Sequence, residues 1–213
     1  DLIIVTHFDG DHALGILSIV KKRKVNKIII PKNYDNNQLA KDIISIAEKK
    51  HIEVKKVKRG DKFGISEVLF QVLHPFDAFD ENYLALDKNR NDNSIVLKIE
   101  YHSFSMLLTG DLEKKGEKNL VLKEEKLNIN RLNCDILKLG HHGSDTSSSY
   151  KFLKKVYPRE AIVSVGINNY GHPDPEVLIR LNKLDIRYWQ TIARGAIIIS
   201  TDGKQYNIKG FKD

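Results

Sequence analysis

The stretch LIIVTHFDGDHALG, residues 2–15, joins a run of aliphatic strand formers to a dense group of side chains that bind metals. The aliphatic run at 2–5 predicts a buried β-strand that ends before the polar residues. Imidazole and carboxylate groups concentrated directly after a strand indicate a metal site at the edge of a sheet. The residues in question are His7, Asp9, Asp11 and His12.

The spacing of these four residues separates them into two pairs. His7 and Asp9 are two residues apart, so both side chains are able to point to the same side of an extended segment. Asp11 and His12 are adjacent at the start of a predicted helix. The pattern predicts two ligand pairs directed at two neighbouring metal ions. Two such ions polarise a phosphoryl or carbonyl group and supply a hydroxide nucleophile near neutral pH.

Three further strand ends carry similar chemistry. A carboxylate at Asp111 is suited to bridge two ions, and His141 and His142 are adjacent imidazole donors that sequence alone does not separate. A cap or a turn explains any one of these groups, but that explanation has to hold at every strand end. The segments are NDNS at 91–94, LLTGD at 107–111 and LKLGHHGS at 137–144.

The net charge of +7 is unevenly distributed over the 213 residues. Residues 1–60 hold 13 Lys and Arg against 7 Asp and Glu, so +6 of the total lies there. The densest runs are KKRK at 21–24 and KKVKR at 55–59. Each run alone is typical of a solvated surface, but together they are consistent with a polyanionic partner. No apolar run is long enough to span a bilayer, and the single Cys134 is expected in the core.

Hydrophobic periodicity predicts one domain over residues 1–213, with a sheet-rich core and external helices. A polar, aperiodic segment at 76–93 is predicted to be a long loop. Strands are predicted at 1–6, 25–31, 52–57, 66–75, 134–140, 160–166, 186–191 and 195–202, with a hairpin at 94–111. Helices are predicted at 10–24, 36–51, 112–127, 147–157 and 174–184.

The motifs THFDGDHALG, NDNS, LTGD, LKLGHHGS and NNYGHP, in that order, resemble the metallo-β-lactamase superfamily. The details are most similar to the hydrolase domain of ComEC-type competence proteins, from residue 2 to about 203. The resemblance implies an α/β fold, the αββα sandwich with a two-metal site on its edge. It also implies strands before the first motif, so we expect an N-terminally truncated domain.

The resemblance also implies metal-binding roles for the matching residues. No histidine corresponds to the superfamily's usual third motif, which leaves Asn93, Asp92 or a water for that position. His142 competes with His141 for one ligand role. The implied set is His7 and Asp9 for the first metal, Asp11, His12 and His141 for the second, and Asp111 as the bridge.

Further residues are implied around the metals. Asp11 is expected to orient the attacking water and accept its proton. His172 is expected beside the cluster as a donor to a phosphate or leaving-group oxygen, with packing in a Pro-framed turn as the alternative. Ser144 and Thr146 are expected to bind phosphate at a helix N-terminus, although their segment is also a good N-cap sequence.

The implied function is a phosphodiesterase or nuclease that acts on DNA in competence-type uptake. The implied cofactors are two divalent ions, Zn²⁺ or Mn²⁺, and Asp9 in place of a histidine favours tolerance of Mn²⁺. One alternative is a free-standing hydrolase of small phosphodiesters, choline-phosphate or lactones. Another is a non-catalytic nucleic-acid-binding domain with a relic metal site. Membrane attachment is expected only through flanking segments; a free-standing bacterial hydrolase is otherwise expected in the cytoplasm.

Overall fold

Two β-sheets face each other and are covered on their outer sides by helices in the computed structural model, which describes residues 1–34, 37–77 and 91–213. The predicted loop at 76–93 lies largely outside the described residues. The strands are β1 (Leu2–Ile4), β2 (Lys27–Pro31), β3 (Glu53–Val57), β4 (Lys62–Ile65), β5 (Val68–His74), β6 (Val96–Tyr101), β7 (Phe104–Leu108), β8 (Ile136–Lys138), β9 (Glu160–Val163), β10 (Arg187–Gln190), β11 (Ile197–Thr201) and β12 (Tyr206–Gly210). The helices are α1 (Gly10–Lys22), α2 (Gln38–Lys49), α3 (Lys114–Lys126), α4 (Tyr150–Val156), α5 (Pro175–Lys183) and α6 (Thr191–Arg194).

The smaller sheet has the order β1-β2-β3, and its strands are parallel. Helices α1 and α2 form the crossovers, so the carboxyl ends of the strands and the amino ends of the helices share one edge. The run KKRK at the end of α1 therefore lies at the opposite edge. In agreement with this, the amino group of Asp1, at the start of β1, donates to the carbonyl of Lys24.

The larger sheet has the order β10-β9-β8-β7-β6-β5-β4. Strands β7 to β10 are parallel to one another, so their carboxyl ends also gather at one edge. A backbone hydrogen bond of 2.9 Å from Ile95 N to Thr6 O joins the two sheets near the end of β1. The segments that follow β1, β7, β8 and β9 are thereby brought to a common edge.

Apolar clusters hold the layers together. One joins the smaller sheet to the larger through Ile29, Val57 and Ile95, and a second packs the β11–β12 hairpin on the same face of the larger sheet. The third lies under α3, α4 and α5 on the opposite face and includes Leu120 and Phe152. Helices α1 and α2 cover the outer face of the smaller sheet. The order of layers is the predicted αββα sandwich.

The sequence analysis missed two short strands and placed Cys134 correctly. β4 contains a glycine and is mostly exposed, and β12 carries polar residues at alternate positions, so neither has a strong apolar signal. Cys134 is buried, and burial raises the pKa of its thiol to about 12. None of the helices within the described ranges has both the length and the apolar character needed to cross a membrane.

Candidate metal centre

The first motif places its ligands through the transition from β1 to α1. His7 lies just beyond the end of the strand and is 2 % exposed, whereas Asp9 is the extended N-cap residue of the helix. Asp11 and His12 belong to the first helical turn, and the backbone N–H of His12 donates to the carbonyl of Asp9. The change from extended to helical backbone thus turns the two predicted ligand pairs towards the same edge.

Four side chains, Asp11, His12, Asp111 and His142, form the four-ligand cluster, in which one N or O atom of each lies within 4.8 Å of the others. Ligand bonds of about 2.0–2.2 Å to a tetrahedral ion require ligand atoms roughly 3.3–3.6 Å apart. The observed separations are 3.2 Å for His12 Nε2–Asp111 Oδ2, 3.5 Å for His142 Nε2–Asp111 Oδ2, 3.1 Å for His142 Nε2–Asp11 Oδ2, 3.2 Å for His12 Nε2–His142 Nε2 and 3.5 Å for His12 Nε2–Asp11 Oδ2. The donor set and its spacing therefore fit a divalent cation.

His7 lies farther from Asp111 Oδ2 than the cluster histidines do, and we call His7 together with Asp9 the His7 side. His7 Nε2 is 3.9 Å from Asp9 Oδ2 and 3.9 Å from Asp111 Oδ2. Within the part of the chain that the structure describes, His7 Nε2 and Asp111 Oδ1 are buried without a hydrogen-bond partner. Buried polar atoms are normally satisfied, so unsatisfied atoms on two residues whose side chains approach to 3.9 Å also fit a bound cation.

The electrostatics of the centre favour the metal-binding forms of His7 and Asp111. Burial and the neighbouring His12 lower the pKa of His7 to about 4, so the His7 ring is neutral at pH 7. Burial disfavours the charged form of Asp111, but hydrogen bonds from His12 and His142 outweigh it and hold the pKa of Asp111 well below its usual range. A neutral imidazole and an ionised carboxylate are the forms that coordinate metals.

Ser94 and Gly110 hold the His7 side in place. Ser94 Oγ lies 3.3 Å from His7 Nδ1 and accepts the backbone N–H of Asp111 at 3.1 Å, while Thr6 Oγ1 lies 3.1 Å from the same His7 nitrogen. Gly110 has φ = +55°, and a Cβ there would lie 2.9 Å from Ser94 Cβ. A glycine is therefore required at this position of LTGD, both because φ is positive and because Ser94 leaves no space for a Cβ.

The two adjacent histidines point to different surroundings because both have left-handed backbones, with φ = 46° at His141 and 54° at His142. His142 Nδ1–H donates to the Ser164 carbonyl at 2.7 Å, which leaves Nε2 facing the cluster. His141 Nδ1 instead lies 3.0 Å from Thr146 Oγ1 and 3.3 Å from Glu113 Oε1. The structure therefore brings His142, rather than His141, into the cluster, which differs from the ligand set that the resemblance implied.

The residues proposed for the third motif have other environments. Asp92 is buried, and its Oδ1 accepts the backbone N–H of Glu113 and Gly116, so this carboxylate caps the start of α3. Asn93 is half-buried in the same short 3₁₀ turn. The residue of NDNS that reaches His7 is Ser94, which the sequence analysis did not single out.

The α4 N-terminus has a carboxylate partner of its own. Glu117 accepts the backbone N–H groups of Ser148 at 2.5 Å and Ser149 at 2.9 Å. Ser144 is buried, and its Oγ lies 3.1 Å from Thr146 Oγ1. The amide donors expected to bind phosphate are occupied by Glu117, and phosphate binding by Ser144 and Thr146 stays a prediction.

His172 lies beside the centre, as expected. A Cβ at Gly143 would lie 2.9 Å from Pro173 Cβ, and Gly143 O accepts the N–H of Asp174, so the HHGS and YGHP motifs pack directly together. The rings of His172 and His141 are 5.7 Å apart. Burial, followed by the charges of His141 and His142, lowers the pKa of His172.

Lys138 is a charged residue near the centre that the sequence analysis missed. It ends β8 and donates from Nζ to the Leu139 carbonyl at 3.0 Å. Burial lowers its pKa, while Asp111 and Asp11 act in the opposite direction. The sequence signal that could have identified this residue is a lysine within the apolar run LKLG, because a charged side chain is rarely placed in a buried strand.

Comparisons with known proteins show the family of this chain. The family model of the metallo-β-lactamase superfamily matches residues 1–167. The chain is 36 % identical over 199 residues to ComE operon protein 3 of Bacillus subtilis (92 % of this chain, 24 % of the relative). It is 42 % identical over 127 residues to competence protein ComA of Neisseria gonorrhoeae (57 % of this chain, 18 % of the relative). The chain thus spans about a quarter or less of these relatives' length.

A solved structure shows the same fold at low sequence identity. The diiron β-hydroxylase CmlA of Streptomyces venezuelae superposes with a TM-score of 0.58 at 15 % identity, covering 88 % of this chain and 43 % of CmlA. At that identity the match supports the fold alone. The chain therefore combines a metallo-β-lactamase fold, a candidate metal site and sequence relatives among competence proteins.

Proposed function

The chain belongs to the metallo-β-lactamase superfamily, and from that membership we propose that it is a two-metal phosphodiesterase that cleaves DNA in competence-type uptake. The observation that carries the proposal is Asp111, whose Oδ2 is approached by His12 and His142 of the four-ligand cluster and also by His7. A carboxylate in that position suits a bridge between two ions. The competence relatives support DNA as the substrate.

The chain would divide the ligands between two ions. Asp11, His12, Asp111 and His142 would hold one, and His7 and Asp9 would hold the other together with Asp111. When bound, such ions supply a hydroxide nucleophile near neutral pH and offset charge on the phosphoryl oxygens.

Residues around the ligands would complete the reaction. Asp11 is 63 % exposed and borders the cleft beside the cluster, so it is placed to orient a water and accept its proton. His172 borders the same cleft and, with its lowered pKa, is a neutral ring that donates a hydrogen bond to the departing oxygen. Lys138 would add positive charge near Asp111.

The basic runs give less support to DNA binding than composition indicates. Arg59 is buried in an ion pair with Glu124, and Lys58 pairs with Asp77, so both have structural partners. KKRK lies at the edge opposite to the centre. Contacts with the DNA backbone are therefore expected close to the metal edge rather than along these runs.

A substrate panel with the metal-loaded protein tests the proposal. We expect Mn²⁺-loaded protein to hydrolyse plasmid DNA and bis-p-nitrophenyl phosphate, to leave lactones intact, and to lose activity reversibly with a chelator. Exclusive lactone hydrolysis would instead establish a different hydrolase on the same scaffold. Bound metal and bound DNA without turnover would establish a non-catalytic binding domain.

A further inference from the structure

The segment 164–172 exposes two large apolar side chains beside the metal centre. Ile167 is 97 % exposed and Tyr170 is 83 % exposed. Neither side chain buries much apolar surface, so neither adds hydrophobic stabilisation to the folded state. Apolar surface at the border of a polar site is a common feature of ligand-binding positions.

This segment is held by its own hydrogen bonds. Asn168 Nδ2 donates to the carbonyls of Gly166 at 2.9 Å and His172 at 2.8 Å. Asn168 Oδ1 accepts the backbone N–H of Tyr170 at 3.0 Å and of His172 at 3.1 Å. The side chain of Asn168 thus makes four hydrogen bonds to the backbone of this loop, and they fix the backbone that bears the exposed Tyr170.

The loop and the centre line a common cleft. Its volume is about 620 Å³, and its lining includes Asp11 and His142 together with Ile167, Tyr170 and His172. The rings of Tyr170 and His172 lie 6.0 Å apart at an angle of 25°, close to parallel. Because Tyr170 is mostly exposed, much of its ring surface remains accessible to a planar ligand that enters beside the metals.

We propose that Tyr170, flanked by Ile167, is a stacking platform for an unpaired base of the nucleotide next to the phosphodiester that is cleaved. The inference rests on the proposed function and names the part of the substrate that the cleft recognises. Every base offers a π-face, so stacking on tyrosine holds a strand without reading its sequence. Tyr170 would act by positioning, because the ring faces the base and leaves the phosphodiester to the centre.

Binding of a non-hydrolysable strand tests this inference. The probe is a short single-stranded phosphorothioate oligonucleotide containing one 2-aminopurine, compared with an abasic oligonucleotide of equal length and charge. Loss of stacking predicts a roughly 5- to 150-fold weaker Kd for Tyr170→Ala on the base-bearing strand. The Kd for the abasic strand should not change, and Tyr170→Phe should retain wild-type affinity because stacking needs the ring and not the hydroxyl.

Tyr157→Ala is the matched control, since Tyr157 is 72 % exposed and follows α4, outside the lining of the cleft. It should bind both strands as the wild type does, and the metal content of every variant should be unchanged. An unchanged Kd for Tyr170→Ala, or an equal loss on both strands, would overturn the platform while leaving the proposed function intact. Wild-type protein that binds neither strand, or that binds aryl lactones through Tyr170 instead, would overturn both.

Discussion

The four-ligand cluster brings imidazole and carboxylate atoms to 3.1–3.5 Å from one another, whereas on the His7 side His7 Nε2 is 3.9 Å from both Asp9 Oδ2 and Asp111 Oδ2. The cluster is partly open to solvent, with Asp11 exposed, whereas His7 is fully buried. Among the residues that the structure describes, four donor atoms therefore come together in the cluster, and fewer donors, richer in oxygen, come together on the His7 side. We expect the cluster to bind its ion more tightly than the His7 side.

Removal of the shared carboxylate should give the largest loss of turnover. Asp111→Ala takes a ligand from both sides at once, and metal-based stabilisation of the transition state is worth several kcal/mol, so we expect roughly a thousandfold or greater loss of turnover. Metal content, measured by mass spectrometry, should fall on both sides. Asp202→Ala, in the β11–β12 turn, is the matched control. Near-wild-type turnover of Asp111→Ala with full metal content would refute the shared bridge.

The adjacent histidines offer a matched pair for the cluster alone. His142→Ala should release the ion of the cluster and lower turnover of bis-p-nitrophenyl phosphate by at least about a hundredfold. His141→Ala should retain both ions, because the contacts of His141 Nδ1 are with Thr146 and Glu113. Both positions have φ near +50°, so substitution by alanine has the same backbone strain in the two variants. Metal loss confined to His141→Ala would reverse the assignment.

Ser94→Ala should act more strongly on the His7 side than on the cluster, because Ser94 Oγ contacts the His7 ring but only the backbone N–H of Asp111. Removing the hydroxyl beside His7 Nδ1 should weaken the ion there about 10- to 100-fold, the usual cost of losing a residue that orients a ligand. The cluster should keep its ion. Titration of metal-free protein with Mn²⁺ should therefore show one unchanged and one weakened step. Loss of both steps would mean that Ser94 supports the whole fold of this edge.

Charge reversal in KKRK should give the smallest effect. The double substitution Lys21→Glu and Lys22→Glu changes residues at the edge opposite to the metal centre. DNA affinity and its salt dependence should therefore be nearly unchanged. A reduced slope of log Kd against log salt would show that DNA contacts extend across the molecule.

Much of the fold and the chemical type of the ligands could be predicted from the sequence. Apolar runs followed by His and Asp identified the strand ends, and parallel connections bring such ends to one edge. The choice between His141 and His142 could not be predicted, because it depends on two consecutive left-handed residues. Ser94 was missed in favour of Asn93 and Asp92 because side-chain directions around a 3₁₀ turn are set by tertiary contacts, here with the start of α3.

Anomalous diffraction from crystals soaked in Mn²⁺, recorded at the manganese edge, tests the asymmetric two-ion centre most directly. We predict two separate peaks, a stronger one among Asp11, His12, Asp111 and His142 and a weaker one beside His7 and Asp9, with Asp111 in contact with both. A single peak, equal occupancy at limiting Mn²⁺, or a peak coordinated by His141 in place of His142 would contradict this assignment.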